Sequence, residues 1–217
     1  MTTTAEPACS YLDAVSSRVV IYDGGAGTWL QRQYLTVDDY GSPELEGCPE
    51  ILNVTRPDIV TAFHAAFLEV GVDVIETNTF GGFRVPLDEY GIGHRVYELN
   101  KAGAEIARAA ADRWSTPDHC RWVAGSMGPG TKFPSLGQIE FEDLADQYAE
   151  QAKGLIDGGV DLLIIETQFD LLGLKAGVTG ARRAMAEAGR EVPIQAQVTH
   201  ELTGRMLPGT EIGAALG

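Results

Sequence analysis

Polar residues follow directly after apolar runs at several points in the chain. The run Leu162–Ile165 ends in Glu166-Thr167, and the same dipeptide, Glu76-Thr77, ends a similar run earlier in the chain. Short aliphatic runs of this kind are typical of strands buried on both faces, as in parallel sheets covered by helices. Ligands of parallel α/β folds bind where such strands end, so the carboxylate of Glu166 predicts a ligand site. The repeated dipeptide indicates a chain of repeated βα units.

A glycine-rich segment follows the first apolar run, Arg18–Tyr22. Its order is Asp23-Gly24-Gly25-Ala26-Gly27-Thr28. Glycines let backbone N–H groups approach an anion such as a carboxylate, but the segment can equally be a tight turn that needs positive φ. Its spacing matches neither the dinucleotide-binding pattern nor a P-loop. Residues 125–132 also depart from a P-loop, because the order Gly-Lys-Ser/Thr is absent there.

Predicted strands and helices alternate along the chain. Apolar runs predict strands at 18–22, 74–77, 122–124, 162–167 and 193–199, and apolar stripes at helical spacing predict helices around 59–70, 93–114, 141–155 and 171–188. The polar residues that follow or end these strands are Asp23, Asn78, Ser126, Glu166 and Thr199. Four or five such strand ends favour a barrel, in which every strand end faces one centre, over an open sheet with a single switch point.

The predicted fold class is therefore α/β, a (β/α)8 TIM-type barrel of which the chain holds about the first five βα units. Eight units of about 43 residues need about 340 residues, whereas the chain has 217. The predicted organisation is a flexible lead-in over residues 1–17 and one domain over residues 18–217, truncated before its sixth strand.

Composition and charge exclude several classes of protein. Sixteen basic and 31 acidic residues give a net charge of −15, which argues against nucleic acid or an anionic membrane as a partner. We find no apolar run of about 18 residues and no signal-peptide core, so we expect a cytoplasmic protein. Cys9, Cys48 and Cys120 form no C-x-x-C pair, which predicts free thiols and no self-contained zinc site.

Five motifs resemble, in order, the homocysteine-binding domain of the homocysteine S-methyltransferases. These motifs are Tyr22–Thr28, Glu46–Asn53, Glu76–Gly81, Gly125–Pro129 and Glu166–Asp170. Within that family, Leu172–Ala176 and Thr203–Leu207 are similar to the cobalamin-dependent methionine synthases. The resemblance covers about residues 18–217.

The resemblance implies an enzyme of methionine synthesis. In this family a zinc-bound homocysteine thiolate accepts a methyl group, here from methylcobalamin or methyltetrahydrofolate, with cobalamin on a separate domain. The substrate contacts that it implies are Asp23 and Glu166 on the ammonium group, the Gly24-Gly25 backbone on the carboxylate, and Asn78 and Ser126 in the pocket wall.

The family's zinc ligands are three cysteines that follow its sixth and eighth strands, and they have no counterpart in this sequence. We therefore assign no metal ligand and no catalytic residue, and we expect the isolated chain to be inactive. The implied partners are homocysteine, a methyl-donor domain or molecule, and a chain or domain that completes the barrel. Two alternatives stay open: a non-catalytic remnant or interaction module with open strand edges, and carboxylates that only cap strands or pair with Arg.

Overall fold

The computed structural model describes residues 10–216 and contains one parallel sheet. Its strands are β1 (Val74–Glu76), β2 (Trp122–Met127), β3 (Leu162–Gln168) and β4 (Ile194–Val198), in the spatial order β1-β2-β3-β4. Every neighbouring pair is parallel and follows the order of the chain. An open doubly wound sheet reverses its strand order at a switch point. The observed order therefore supports the barrel arrangement over the open sheet.

The first predicted strand is much reduced. Residues 18–22 lie beside β1, but they contribute a single parallel bridge between Tyr22 and Val74. The Ile21 carbonyl accepts hydrogen bonds from Asp73 N and Val74 N, and Asp23 N donates to Val74 O at 3.0 Å. This pairing fixes the position of Asp23 next to the end of β1.

Ten α-helices surround or follow the strands in the described chain. They are α1 (Tyr11–Ser17), α2 (Ala26–Gln31), α3 (Val37–Tyr40), α4 (Leu52–Thr55), α5 (Pro57–Val70), α6 (Arg84–Asp88), α7 (Val96–Trp114), α8 (Phe141–Asp157), α9 (Leu171–Ala188) and α10 (Ile212–Leu216), with short 3₁₀ turns at Pro43–Leu45, Pro49–Ile51, Gly93–Arg95 and Pro134–Leu136. The four long helices α5, α7, α8 and α9 match the predicted apolar stripes. None of the ten is long and apolar enough to span a bilayer.

The strands bury both faces. Side chains alternate along a strand, so Val123 and Leu163 face the layer of long helices, whereas Trp122, Ala124 and Leu162 form a second cluster on the opposite face. This burial on both sides explains why the strands appear in the sequence as continuous apolar runs.

Helix α1 lies within the predicted lead-in. Residues 1–9 lie outside the described residues, but α1 packs on the sheet face opposite the long helices, where the Tyr11 and Trp122 rings meet at 5.9 Å and 75°. The Tyr11 hydroxyl lies 2.6 Å from the Tyr22 hydroxyl and donates to Gln195 Oε1 at 2.9 Å. One aromatic side chain thus connects this short helix to the sheet, and the flexibility of the lead-in stays a prediction.

The prediction of free thiols is confirmed at Cys48, which is also buried. Cys9 lies outside the described residues.

The closest helix packing in the outer layer is between α8 and α9, at Gly180. A Cβ atom added there would lie 2.4 Å from the Ala145 carbonyl oxygen. We expect Gly180→Ala to lower the free energy of unfolding by about 2 kcal/mol or more, because the backbones must separate. Gly173→Ala in the same helix is the control, since its nearest neighbour would be 3.4 Å away. Urea denaturation checks this, and equal losses in both variants would contradict it.

Candidate functional site

A cavity of about 570 Å³ opens where the parallel strands end. Gly24, Gly25, Asn78, Ser126 and Glu166, five of the six predicted site residues, line this cavity. A volume of this size suits a small-molecule ligand. The sequence therefore identified most of the strand ends that meet here.

The sixth predicted residue, Asp23, lies beside Gly24 in a cluster of three carboxylates. This carboxylate cluster consists of Asp23, Glu76 and Glu166. Glu76 N donates to Asp23 Oδ2 at 3.0 Å, and Ser126 Oγ donates to Glu166 Oε1 at 2.6 Å. Asp23 Oδ1 is buried and has no hydrogen-bond partner. The parallel pairing of the strands thus brings three acidic side chains together and leaves one oxygen unsatisfied.

The carboxylate cluster lacks a cationic partner within residues 10–216. No Lys or Arg lines the cavity, and no ion pair of the described chain includes any of the three residues. The alternative in which Asp23 and Glu166 pair with Arg side chains is therefore wrong.

Burial and the repulsion of neighbouring carboxylates disfavour the charged forms of Asp23 and Glu76. Burial raises the pKa of Asp23 to about 7, assisted by the charge of Glu166 and opposed by the hydrogen bond from Glu76 N. Burial also raises the pKa of Glu76 to about 8, with further contributions from Glu166 and Asp23. A cluster with such values in a cavity is a candidate for cation binding.

A backbone irregularity directs Glu166 into the cavity. Between Ile165 and Gln168 the register of β3 against β4 shifts, and Thr167 adopts a φ of 57°. A positive φ is unusual for a β-branched residue, and such outliers concentrate at functional sites. The bulge turns the end of β3, and Thr167 Oγ1 donates to Glu166 Oε2 at 3.3 Å.

The glycine segment is not a positive-φ turn. Among the glycines between Asp23 and Thr28, none has positive φ. A Cβ at Gly25 would meet only Thr28 Oγ1, at 4.0 Å, and one at Gly27 would have open space. The backbone of Gly24 and Gly25 is instead exposed to the cavity. This outcome favours the ligand-contact interpretation of the segment over the tight turn.

Asn78 lies in the cavity wall, where its amide nitrogen already has two partners. It donates to Pro49 O at 2.7 Å and to Asn53 Oδ1 at 3.0 Å. These bonds connect the end of β1 to α4 and to the 3₁₀ turn that precedes it. Thr199, the last polar strand end predicted, is exposed and is not among the residues that line the cavity.

Glu76 and Glu50 are two cavity residues to which the sequence analysis assigned no role. The repeated Glu-Thr dipeptide at the ends of β1 and β3 was a visible signal for Glu76. No comparable signal marked Glu50, which is buried in the wall and accepts a hydrogen bond from Gly81 N at 2.7 Å. Burial raises the pKa of Glu50.

The described residues do not fit a zinc site. Within residues 10–216, no three His, Cys, Asp or Glu side chains are grouped so that they could hold a metal ion. The one free thiol described, Cys48, contacts Glu50 Oε2 at 3.6 Å. Burial raises its pKa to about 12, which disfavours the thiolate form that binds zinc.

Comparison with protein families identifies the domain. The family model for homocysteine S-methyltransferase matches residues 20–217. The chain belongs to the homocysteine S-methyltransferase family. The motif resemblance is thereby confirmed.

Two curated relatives are similar over most of the chain. They are the methionine synthases of Mycobacterium leprae (strain TN), 51% identical over 205 residues, and of Mycobacterium tuberculosis (strain ATCC 25618 / H37Rv), 52% identical over 205 residues. Each alignment covers 94% of this chain and 17% of the relative. The chain thus spans about a sixth of the length of these synthases.

Solved structures show the same fold. The metallated form of the homocysteine methyltransferase MmuM from Escherichia coli matches with a TM-score of 0.73 and 17% identity, over 93% of this chain and 70% of that chain. The oxidised form of MmuM also matches at 0.73, with 18% identity, over 91% of this chain and 68% of that chain. At this identity the likeness supports the fold alone.

The raised pKa values predict how stability varies with pH in the ligand-free protein. Asp23 and Glu76 titrate near 7 and 8 when folded, whereas free carboxyl groups titrate near 4. The folded state therefore binds more protons than the unfolded state over this range, and the free energy of unfolding falls as pH rises. His64, whose pKa burial lowers to about 4, has the opposite effect only below about pH 6.5.

Urea denaturation between about pH 6.5 and pH 8.5 isolates the carboxyl contribution. With Asp23→Asn or Glu76→Gln, the free energy of unfolding should fall less steeply as pH rises, because the introduced amide side chains do not titrate. Glu150→Gln, on the outer helix α8, is the control and should keep the wild-type slope. A wild-type stability that rises over this range, or the same slope in all four proteins, would contradict the assignment.

Proposed function

We propose that this domain binds homocysteine as the methyl acceptor of a methyltransferase that forms methionine. The observation that carries the proposal is the carboxylate cluster at the strand ends, where Asp23 Oδ1 is buried without a partner. An ammonium group supplies the positive charge and the hydrogen-bond donors that this cluster lacks. Family membership and the similarity to two methionine synthases support the same substrate.

The cavity accounts for each part of an α-amino acid. The ammonium group binds Asp23 and Glu166, and the α-carboxylate binds the exposed backbone of Gly24 and Gly25. Aromatic side chains, among them Phe80, line the rest of the cavity and provide an apolar surface for the thiol-bearing chain. Ser126 orients Glu166 through its hydroxyl. Asn78 stabilises the cavity wall through its hydrogen bonds to Pro49 O and Asn53 Oδ1.

An inert remnant explains the carboxylate cluster poorly. Desolvation and the neighbouring carboxylates raise the pKa values of Asp23 and Glu76, which costs stability in the empty protein. Sites that bind ligands tolerate such a cost because the ligand relieves it. This reasoning favours a binding function over a purely structural module.

We further propose that thiol activation and the methyl donor depend on residues or molecules outside residues 10–216. The family resemblance implies zinc for the thiol and methylcobalamin or methyltetrahydrofolate as the donor. Because the described residues do not fit zinc, we expect them to bind homocysteine without transferring a methyl group on their own.

We also propose that the strands described here are part of an eight-stranded barrel. The match to MmuM covers 70% of that chain, and β4 pairs on one edge only within the described residues. Additional strands supplied by the same or another polypeptide would cover this edge and residues 18–22.

Calorimetric titration of the intact protein with homocysteine tests the binding proposal. Asp23→Asn and Glu166→Gln should each weaken binding by about tenfold to a hundredfold, since each removes a charge-assisted hydrogen bond. Glu150→Gln, on the surface of α8, is the matched control and should bind as the wild type does.

A second ligand separates the ammonium contact from general damage to the site. The analogue 4-sulfanylbutanoate lacks the amino group, so the wild type and both cluster variants should bind it with similar affinity. Unchanged homocysteine affinity in Asp23→Asn and Glu166→Gln would refute the proposed role of the cluster.

A further inference from the structure

Glu76 makes contacts that the proposed binding of homocysteine does not yet explain. Its backbone N–H donates to Asp23 Oδ2 at 3.0 Å, and its side chain lines the same cavity as the side chain of Glu166. Two carboxyl groups can form a hydrogen bond only when one of them holds a proton, because an ionised carboxylate has no donor. Neighbouring carboxyl groups in a cavity that no Lys or Arg lines limit their repulsion by sharing a proton in this way.

The other contacts of Glu166 indicate which group is protonated. Its Oε1 accepts from Ser126 Oγ at 2.6 Å, and its Oε2 accepts from Thr167 Oγ1 at 3.3 Å. Hydroxyl groups thus already donate to both oxygens of Glu166, so Glu76 is the member of the pair that can hold the proton and donate it.

No positive group of the described chain faces this pair. The ionisable groups around it are Asp23 and, beneath it, the Tyr22 hydroxyl. Tyr22 is hydrogen-bonded to Gln195 and to the hydroxyl of Tyr11, and burial raises its pKa, so it stays neutral. A proton is then the means by which the empty cluster limits its negative charge.

We propose that Glu76 is a third ligand of the substrate ammonium group and that the ammonium group replaces the proton held by Glu76. This inference rests on the proposed function. On binding, Glu76 releases one proton to solvent and becomes a carboxylate. The three N–H donors of the ammonium group then match the three carboxylates of the cluster, one each on Asp23, Glu76 and Glu166.

Proton exchange makes affinity depend on pH. The pKa of Glu76, about 8, and that of Asp23, about 7, place the exchange near neutrality. Below these values a proton must leave before the ammonium group can bind, so the affinity for homocysteine should fall by about tenfold for each pH unit of acidification per proton released. A ligand without an amino group releases no proton from the cluster.

Calorimetry in two buffers of different ionisation enthalpy, phosphate and Tris, counts the protons released when homocysteine binds to the intact protein at about pH 7. Homocysteine can also lose its thiol proton, but that contribution is common to the wild type and to Glu76→Gln and cancels in the difference. We expect Glu76→Gln to release about one proton fewer per ligand. The Gln side chain of this variant can still donate an N–H to Glu166, but it does not titrate. Glu150→Gln should release as many as the wild type.

Infrared difference spectroscopy supplies a readout that does not depend on the affinity of the variant. Homocysteine should remove a protonated-carboxyl band from the wild-type spectrum, and the ligand-free Glu76→Gln protein should lack most of that band. Equal proton release in the wild type and Glu76→Gln, or a wild-type band that persists with ligand bound, would overturn the exchange. If either of these two results is found while the wild type binds homocysteine tightly, only the proton exchange is refuted and the proposed function stands. If the wild type does not bind homocysteine, the proposed function itself is refuted.

Discussion

The parallel pairing of residues 18–22, β1, β2 and β3 is the constraint on which the site depends. Because neighbouring strands run in the same direction and follow chain order, the polar residues that follow or end them meet at one edge. The aliphatic residues before them are buried on both faces and hold the strands in place. Burial at that edge raises the pKa values of Asp23 and Glu76, so the same packing that forms the sheet creates the site that we propose for a cation.

Several features were predictable from sequence because local chemistry agreed with the fold. The long helices follow stripes of apolar residues, and three of the four end at a glycine: Gly71, Gly158 and Gly189. The strands appear as aliphatic runs because they are buried on both faces. Five of six predicted site residues line the cavity for the simpler reason that they stand at strand ends.

Other features depend on contacts between distant segments, which no local pattern shows. Helix α1 lacks a long apolar stripe and is held by Tyr11, whose hydroxyl reaches Gln195. Residues 18–22 look like a strand, yet they bridge at one position only and leave Val19 82% exposed. Glu50 becomes a wall residue only because a loop folds back over the end of β1. In each case the missing information was a partner far along the chain.

A crystal structure of the intact protein with homocysteine bound tests the central claim most directly. The account predicts that the ammonium nitrogen lies within hydrogen-bond distance of Asp23 Oδ1 and Glu166, with the α-carboxylate against the backbone of Gly24 and Gly25. A structure in which homocysteine binds elsewhere, or in which its ammonium group faces away from the carboxylate cluster, would contradict it.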